Sequence, residues 1–285
     1  MPVAAQPGAL LHQGVLRRAT PVAPPPAEEQ TAPADVEEVK VPSAADRHLL
    51  SRFSFGVTPS LVAASEAAGG ARRWFGDQLE PADIPDGEAA ALASWWPTLG
   101  DSFAKKHADC ESGHMLGFEQ DYCLARWTLM HRITTRRQVL AVMTDFWSNL
   151  LFVHPNTKTF QWRADFEHVI RAKALTTFTE VLTAAALHPA MLVFLDNARS
   201  TADHPNENLG RELLELHTVG REANFSEREV KDSMRILTGF RVQHDGACQP
   251  YYSDVDHATG PVSVLGFEHP NGDPHGEPVA WSSSL

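Results

Sequence analysis

The sequence has few cysteines and no long apolar run. Its 285 residues include only Cys110, Cys123 and Cys248, too few for a disulfide scaffold, although one bridge with one thiol left over stays open. No apolar stretch approaches the roughly 18 residues of a membrane-spanning helix. Pro-rich sequence follows Arg17 and Arg18, where an export signal would place apolar residues. We therefore expect a cytoplasmic protein without a membrane span.

The signature motifs of the common enzyme classes are also missing. The chain contains no H-E-x-x-H, G-x-S-x-G, G-x-x-x-x-G-K or G-x-G-x-x-G, so zinc protease, serine hydrolase, nucleotide and dinucleotide chemistry lack sequence support. Basic residues are scarce, with 24 Lys and Arg against 36 Asp and Glu and a net charge of −12. Such a chain repels phosphate backbones and anionic lipid. A protein or small-molecule partner remains open.

Helical periodicity dominates what is present. Residues 1–42 are rich in Pro, Ala and Glu and are predicted to be a disordered tail. From Ser43 onward, capping residues precede stretches with apolar spacing of three and four. The prediction is a mainly α, orthogonal or bundle-like multi-helix domain over 43–267. A small β hairpin or edge strand is expected where P-V-S-V-L-G-F occurs, and residues 268–285 should be irregular.

The segment from Asp203 to Gly220 is predicted to be the central helix. It reads D-H-P-N-E-N-L-G-R-E-L-L-E-L-H-T-V-G. Asp203 or Asn206 can cap its start, and Gly220 suits the left-handed residue that ends a helix. Helical spacing places three leucines on one stripe, namely Leu209, Leu213 and Leu216. The opposite half carries Glu207, Asn208, Arg211, Glu212 and Glu215.

Several stretches resemble a large bacterial family catalogued as domain of unknown function 1800. They are R-H-L-L-S-R-F-S-F-G-V-T-P (47–59), W-F-G-D-Q-L-E-P (74–81), D-F-W-S-N (145–149), H-P-A-M-L-V-F-L-D-N (188–197), P-N-E-N-L-G-R-E-L-L-E-L-H-T-V-G (205–220), R-I-L-T-G-F (235–240) and H-A-T-G-P-V-S-V-L-G-F (257–267). The resemblance implies a largely helical fold but no established activity.

This chain departs from the family pattern in three respects. Relatives often carry a His soon after the Trp of F-W-x-N, where this chain has Leu150 and Leu151. They are often exported, which the present N-terminus does not support. They usually continue past the L-G-F segment into further helices, so truncation at Leu285 is expected.

The polar face of the central helix supplies the first candidate site. Glu212 and Glu215 lie three residues apart and are neighbours on a helix. Such a carboxylate pair can bind a hard cation, or divide into an acid and a base. Alternatively, Arg211 and a second arginine such as Arg235 neutralise them in a salt-bridge network.

His217 and two further patterns contain possible metal ligands. His217 would need ligands from other elements, with candidates His188, Asp196, His204 and His257; otherwise it is a hydrogen-bonded core residue. The segment His107-x2-Cys110-x3-His114-x8-Cys123 has the ligand types that bind zinc, but its spacing matches no common zinc-binding module. A disulfide between Cys110 and Cys123, or unpaired thiols, are the alternatives. Acid-x-x-His pairs at Glu111–His114 and Asp165–His168 are no more than chance predicts.

Two functional hypotheses follow. In the leading one, the protein is a structural or interaction domain in which a buried polar network around Asn206–Arg211, Glu212 and Glu215 fixes the helix register. In the alternative, it is a metal-dependent hydrolase or oxidoreductase that binds a divalent metal through Glu212, Glu215 and His217 together with His188 or His257.

Overall fold

Helices make up most of the fold, as the sequence predicts. The computed structural model describes residues 41–156, 158–243 and 246–272. Within them lie twelve α-helices: α1 Ala44–Arg52, α2 Pro59–Ala67, α3 Ala71–Gln78, α4 Gly87–Ala91, α5 Phe103–Glu111, α6 Gly117–Thr134, α7 Gln138–Leu150, α8 Phe160–Lys173, α9 Phe178–Ala186, α10 Pro189–Phe194, α11 Asn208–Glu212 and α12 Glu227–Leu237. The mainly α fold class is confirmed. The predicted tail, apart from residues 41 and 42, and residues 273–285 lie outside the described residues.

Side-chain caps begin several of these helices at the positions that the sequence indicates. Ser43 Oγ accepts from the backbone N–H of Asp46 at the start of α1. At α12 the predicted capping box is formed, because Ser226 Oγ accepts from Glu229 N–H while the Glu229 carboxylate accepts from Ser226 N–H. Both caps satisfy N–H groups that have no partner within the helix.

The apolar side chains form two clusters. The larger one is formed by the five helices from α8 through α12 together with the C-terminal strands, and its members Ile170, Leu182 and Leu209 are completely buried. The smaller one packs α1, α2 and α3 against Val139 at the start of α7. Long helix α8 contacts α6, α7 and α9, so a polar side chain on α8 lies between packed elements.

Two small antiparallel sheets lie near the C-terminus. One pairs β1 Phe240–Val242 with β2 Pro250–Tyr252. The other pairs β3 Val262–Val264 with β4 Phe267–His269 and is the predicted hairpin. Its second strand extends through residues 268 and 269, which were expected to be irregular but pair with Ser263 and Val262. Its two turn residues, Leu265 and Gly266, have φ of 50° and 85°, the positive values that a tight hairpin turn requires. The sheet containing β1 and β2 was not predicted.

The central helix differs from its prediction in its start and its winding. It begins at Asn208, and neither Asp203 nor Asn206 is its cap, since Glu207 occupies that position without a side-chain cap bond. After Glu212 the chain continues as a π-helical turn over Leu213–His217. The element ends at His217, three residues before the predicted stop at Gly220. Gly220 has a φ of 77° and donates its N–H to the carbonyl of Leu214 at 2.9 Å.

The π turn also corrects the predicted leucine stripe. Leu209 and Leu213 are buried, but Leu216 is 62% exposed. A π turn rotates the chain roughly 20° less per residue than an α-helix, so four such residues move Leu216 about 70° away from the stripe. Leu214 and His217 are buried instead.

Candidate functional site

The predicted polar face of the central helix is an ion-pair network centred on Arg211. Its guanidinium donates to both carboxylate oxygens of Glu227 on α12, at 2.9 and 2.7 Å. It also donates to Glu207 at 3.0 Å and lies 3.5 Å from Glu215. These hydrogen bonds raise the pKa of Arg211, Glu227 contributing most and Glu207 next. The network ties α11 to α12.

The two predicted catalytic carboxylates have different surroundings. Glu215 lies between two guanidinium groups, with Arg221 Nε 3.5 Å from its second oxygen. Glu212 is half-buried and acts electrostatically on His217. The second arginine suggested by the sequence, Arg235, lies elsewhere: it pairs with Asp232 at 3.2 Å and donates to the carbonyls of Thr259, Gly260 and Pro261. Arg221 takes the place beside Glu215 that the sequence predicted for Arg235. It lies in the 3-10 turn that follows the π turn and contacts it.

His217 is a hydrogen-bonded core residue. Its Nδ1 lies 3.0 Å from the carbonyl oxygen of Leu150, and a carbonyl can only accept, so Nδ1 carries the proton. Burial lowers the pKa of His217, partly offset by that hydrogen bond. Leu151 next to it is completely buried. Leu150 and Leu151 thus contribute a carbonyl and core packing, respectively.

His188 and His257 each fasten two elements together. His188 Nδ1 accepts from Ala190 N–H at 3.1 Å, so Nε2 carries the proton and donates to Asp165 at 3.0 Å. That hydrogen bond lowers the pKa of Asp165. His257 faces the carbonyl of Thr238 at 2.9 Å and the side-chain oxygen of Asn271 at 3.0 Å.

The structure does not assemble the predicted metal ligands. In the part of the chain that it describes, no three His, Cys, Asp or Glu side chains are grouped so that they could hold a metal ion. His107 pairs with Glu111 at 3.3 Å, and no disulfide joins Cys110 to Cys123. Asp196 is a left-handed residue between α10 and a 3-10 turn, and His204 lies on an exposed loop. Each candidate therefore has a local structural environment of its own.

A cavity of about 520 Å³ opens between α4, α6, α8 and two 3-10 turns. One wall is apolar and combines Trp96 with smaller residues: Gly87, Ala89, Ala90, Ala93, Pro97, Leu99 and Gly100. The other wall carries the charged, imidazole and indole side chains: Asp86, Trp127, His131, Arg137, His168 and Arg171. The small side chains of α4 and the turns leave the space that the larger groups of α6 and α8 face.

Arg171, Trp127 and His131 form the centre of the polar wall. The Arg171 guanidinium carbon lies 5.1 Å from the Trp127 ring centroid, and the Trp127 and His131 rings are 4.9 Å apart. Arg171 Nη1 is 3.4 Å from both ring nitrogens of His131, so it lies over the imidazole face. Its carboxylate contact is a 3.4 Å bond to Glu167, which also accepts from Ser148. Arg171 Nε is buried and has no hydrogen-bond partner among the described residues.

Burial and positive charge control the titration of this wall. Desolvation, followed by the charge of Arg171, lowers the pKa of His131 to about 4. Desolvation also lowers the pKa of Arg171, which remains charged at any physiological pH. At neutral pH the empty cavity therefore presents a neutral imidazole beside a buried cation.

Two more charged groups are held in place around the cavity. Asp86 accepts from Thr135 Oγ1 and from the backbone N–H of Arg136, both at 2.7 Å. Arg137 Nε donates to the carbonyl of Ile84 at 3.0 Å. Because these bonds link the start of α4 to the α6–α7 connection, the cavity mouth has a defined charge arrangement.

Sequence reasoning missed this site. From the sequence, His168 stands only in an acid-x-x-His pair that chance accounts for, and neither Trp127 nor His131 is singled out. A weak signal was available, since Trp127 and His131 are four residues apart and His168 and Arg171 three apart. Each pair thus occupies one helix face. The sequence does not reveal that these two faces meet.

Comparison with known proteins adds a family and no activity. Residues 48–280 match the family model described as "Protein of unknown function (DUF1800)". No curated protein and no solved structure matches significantly. No helix in the described part of the chain has both the length and the apolar character needed to cross a membrane.

Proposed function

Because this chain belongs to the DUF1800 family of proteins of unknown function, its activity has to be argued from its own site, and we propose that it is a ligand-binding helical domain. The cavity lined by Trp127, His131 and Arg171, here called the Arg171 cavity, binds a small organic anion with an apolar body. The ion-pair network of the central helix supports the scaffold that holds this cavity.

The unpaired Nε of Arg171 is the observation that carries the proposal. A guanidinium has five N–H donors and no acceptor. Here one donor is buried without a partner, Nη1 faces a ring, and the bond to Glu167 is long. An unsatisfied buried donor costs about 1–3 kcal/mol, more for a charged group. An anionic oxygen in the cavity would accept from the Nη groups of this guanidinium and so offset part of the cost of burying its charge.

The shape and lining of the cavity favour an apolar body behind the anionic head. Its volume of about 520 Å³ falls in the range of roughly 300–1,000 Å³ typical of small-molecule sites. Ala90, Ala93 and Leu99 contribute apolar side chains to one face of the cavity. Trp127 contributes a flat aromatic surface to the opposite face. Inorganic anions would leave most of this surface in contact with water.

Local charge explains how an acidic protein can attract an anion. The chain carries a net charge of −12, which disfavours anions at long range. At the cavity, Arg137 and Arg171 face one carboxylate, Asp86, which already accepts two hydrogen bonds. The cavity lining by itself is therefore positive, and Glu167, which lies outside the lining, offsets part of this charge by pairing with Arg171 at 3.4 Å. The apolar wall lowers the local dielectric constant and strengthens the remaining attraction.

The central helix keeps its structural interpretation within this proposal. Arg211 joins Glu207 and Glu215 of its own helix to Glu227 of α12. His217 joins the end of the same element to the end of α7 through Leu150. These contacts support a role in fixing helix positions.

Fluorescence titration with 8-anilinonaphthalene-1-sulfonate tests the proposal. This probe combines an aromatic body with a sulfonate and becomes bright in apolar sites. Arg171→Met keeps the side-chain bulk but removes the charged donors, and should weaken binding at least about tenfold, the loss expected for one hydrogen bond to a charged group. Arg228→Gln, on an exposed face of α12, is the matched control and should bind as the wild type does.

A second pair of variants tests the apolar wall. Ala90→Leu places three additional carbons in the cavity, whereas Ala91→Leu makes the same change on α4 outside the cavity lining. Only the first should weaken binding of the probe. Equal affinity in wild type, Arg171→Met and Ala90→Leu would mean that the probe binds elsewhere, and the proposed function would be wrong.

A further inference from the structure

We infer that anion binding in the Arg171 cavity is coupled to the uptake of one proton by His131, so that the site binds more tightly as the solution becomes acidic. The inference rests on the proposed function and adds a form of regulation to it. It starts from the position of the imidazole between an aromatic ring and a cation.

His131 and Arg171 meet at the cavity wall. A neutral imidazole has one N–H donor and one acceptor nitrogen. Arg171 Nη1 lies 3.4 Å from each ring nitrogen, and because a guanidinium can only donate, this contact supplies no acceptor for the imidazole N–H. An anionic oxygen on the cavity side of both groups would accept from His131 and from Arg171 together.

The charges that face His131 across the cavity come from three segments. Asp86 precedes α4, Arg137 precedes α7, and His168 and Arg171 belong to α8. On its other side His131 lines a small pocket with three further charged groups, Arg132, Asp145 and Glu167. After burial, Arg171 is the largest influence that keeps the pKa of His131 at about 4, with His168 and Arg137 acting in the same direction and Asp86 opposing them. A bound anion opposes the same cations. It therefore favours the imidazolium, whose two N–H groups are both donors.

Linkage gives the expected size of the effect. If the anion offsets the surrounding cations and restores the ordinary pKa of roughly 6.5, the affinity at pH 5 should exceed that at pH 7 by roughly 20-fold. Each unit by which the bound-state pKa falls short of that value lowers the gain by up to about tenfold. The direction is fixed, because only the complex holds the proton in this pH range.

The probe 8-anilinonaphthalene-1-sulfonate suits this test because its sulfonate stays ionised between pH 5 and pH 8. Its dissociation constant should fall steadily from pH 8 to pH 5 in the wild type. In His131→Gln, which cannot be protonated, it should change by less than about twofold over the same pH range. N-phenyl-1-naphthylamine, which lacks the sulfonate, should show no such dependence. Far-UV circular dichroism at each pH verifies that the helices persist.

Calorimetry in buffers with different ionisation enthalpies counts the proton directly. At pH 5.5 the wild type should take up close to one proton per bound probe, and His131→Gln close to none. His168→Gln, which alters the exposed neighbour on α8, should keep most of the uptake.

The outcomes separate the two proposals. Undiminished pH dependence or proton uptake in His131→Gln, or none in the wild type, overturns the proton coupling even when Arg171→Met weakens binding. Failure of Arg171→Met to weaken binding at any pH overturns the proposed function itself.

Discussion

The buried imidazole of His131 should make the ligand-free protein less stable in mild acid. Its native pKa of about 4 lies below the roughly 6.5 of an unfolded chain. Between these values the unfolded state binds more protons, so stability falls as the pH falls. From pH 7 to pH 5 this difference in proton binding lowers the free energy of unfolding by roughly 2 kcal/mol. Solvent screening at the cavity reduces the expected loss to about 1–2 kcal/mol.

His131→Gln removes this contribution, because glutamine does not titrate. Urea unfolding followed by far-UV circular dichroism at pH 7 and pH 5 gives the loss of stability for each protein. The wild type should lose about 1–2 kcal/mol more than the variant over this interval. Comparing losses rather than stabilities cancels any packing cost of the glutamine at pH 7.

An exposed histidine provides the control for this experiment. His48 lies on the surface of α1, and His48→Gln should lose as much stability as the wild type does. If His131→Gln also loses as much as the wild type, the imidazole is not desolvated in the folded protein, and the electrostatic description of the cavity is wrong.

Three further substitutions test the scaffold. A Cβ on Gly210 would lie 2.8 Å from the backbone nitrogen of Met234, whereas a Cβ on Gly76 meets no atom within 4 Å. In chemical denaturation, Gly210→Ala should therefore be less stable than the matched Gly76→Ala by about 1–3 kcal/mol. Equal effects would contradict close packing of α11 on α12. Ser226→Ala removes the α12 cap and should cost about 1 kcal/mol in thermal unfolding, with Ser226→Thr nearly neutral. Arg211→Gln should cost no more than about 1 kcal/mol, a difference that 1 M NaCl removes, because its partners are solvent-accessible; a loss of several kcal/mol would indicate a buried network.

The helices could be predicted wherever a local rule decides them. The capping box at Ser226 and Glu229 and the start at Ser43 depend on side chains within three residues of each other, so the sequence contains all the information. The π turn at Leu213–His217 does not follow such a rule. Its hydrogen-bond shift is set by how α11 packs on α12, and the sequence alone therefore placed Leu216 in the core.

The predicted site and the cavity differ for a related reason. The Arg211 network could be anticipated because Glu207, Arg211 and Glu215 are four residues apart on one helix. The Arg171 cavity joins Asp86, His131 and Arg171 from three separate segments. Nothing in their local sequence indicates that the segments meet, and each residue by itself resembles an ordinary polar position.

A crystal structure of the protein with 8-anilinonaphthalene-1-sulfonate tests the central claim most directly. The account predicts the sulfonate within hydrogen-bonding distance, roughly 3 Å, of the Arg171 guanidinium, with the aromatic body between Trp127 and the alanines of α4. Probe density only outside this cavity would contradict it.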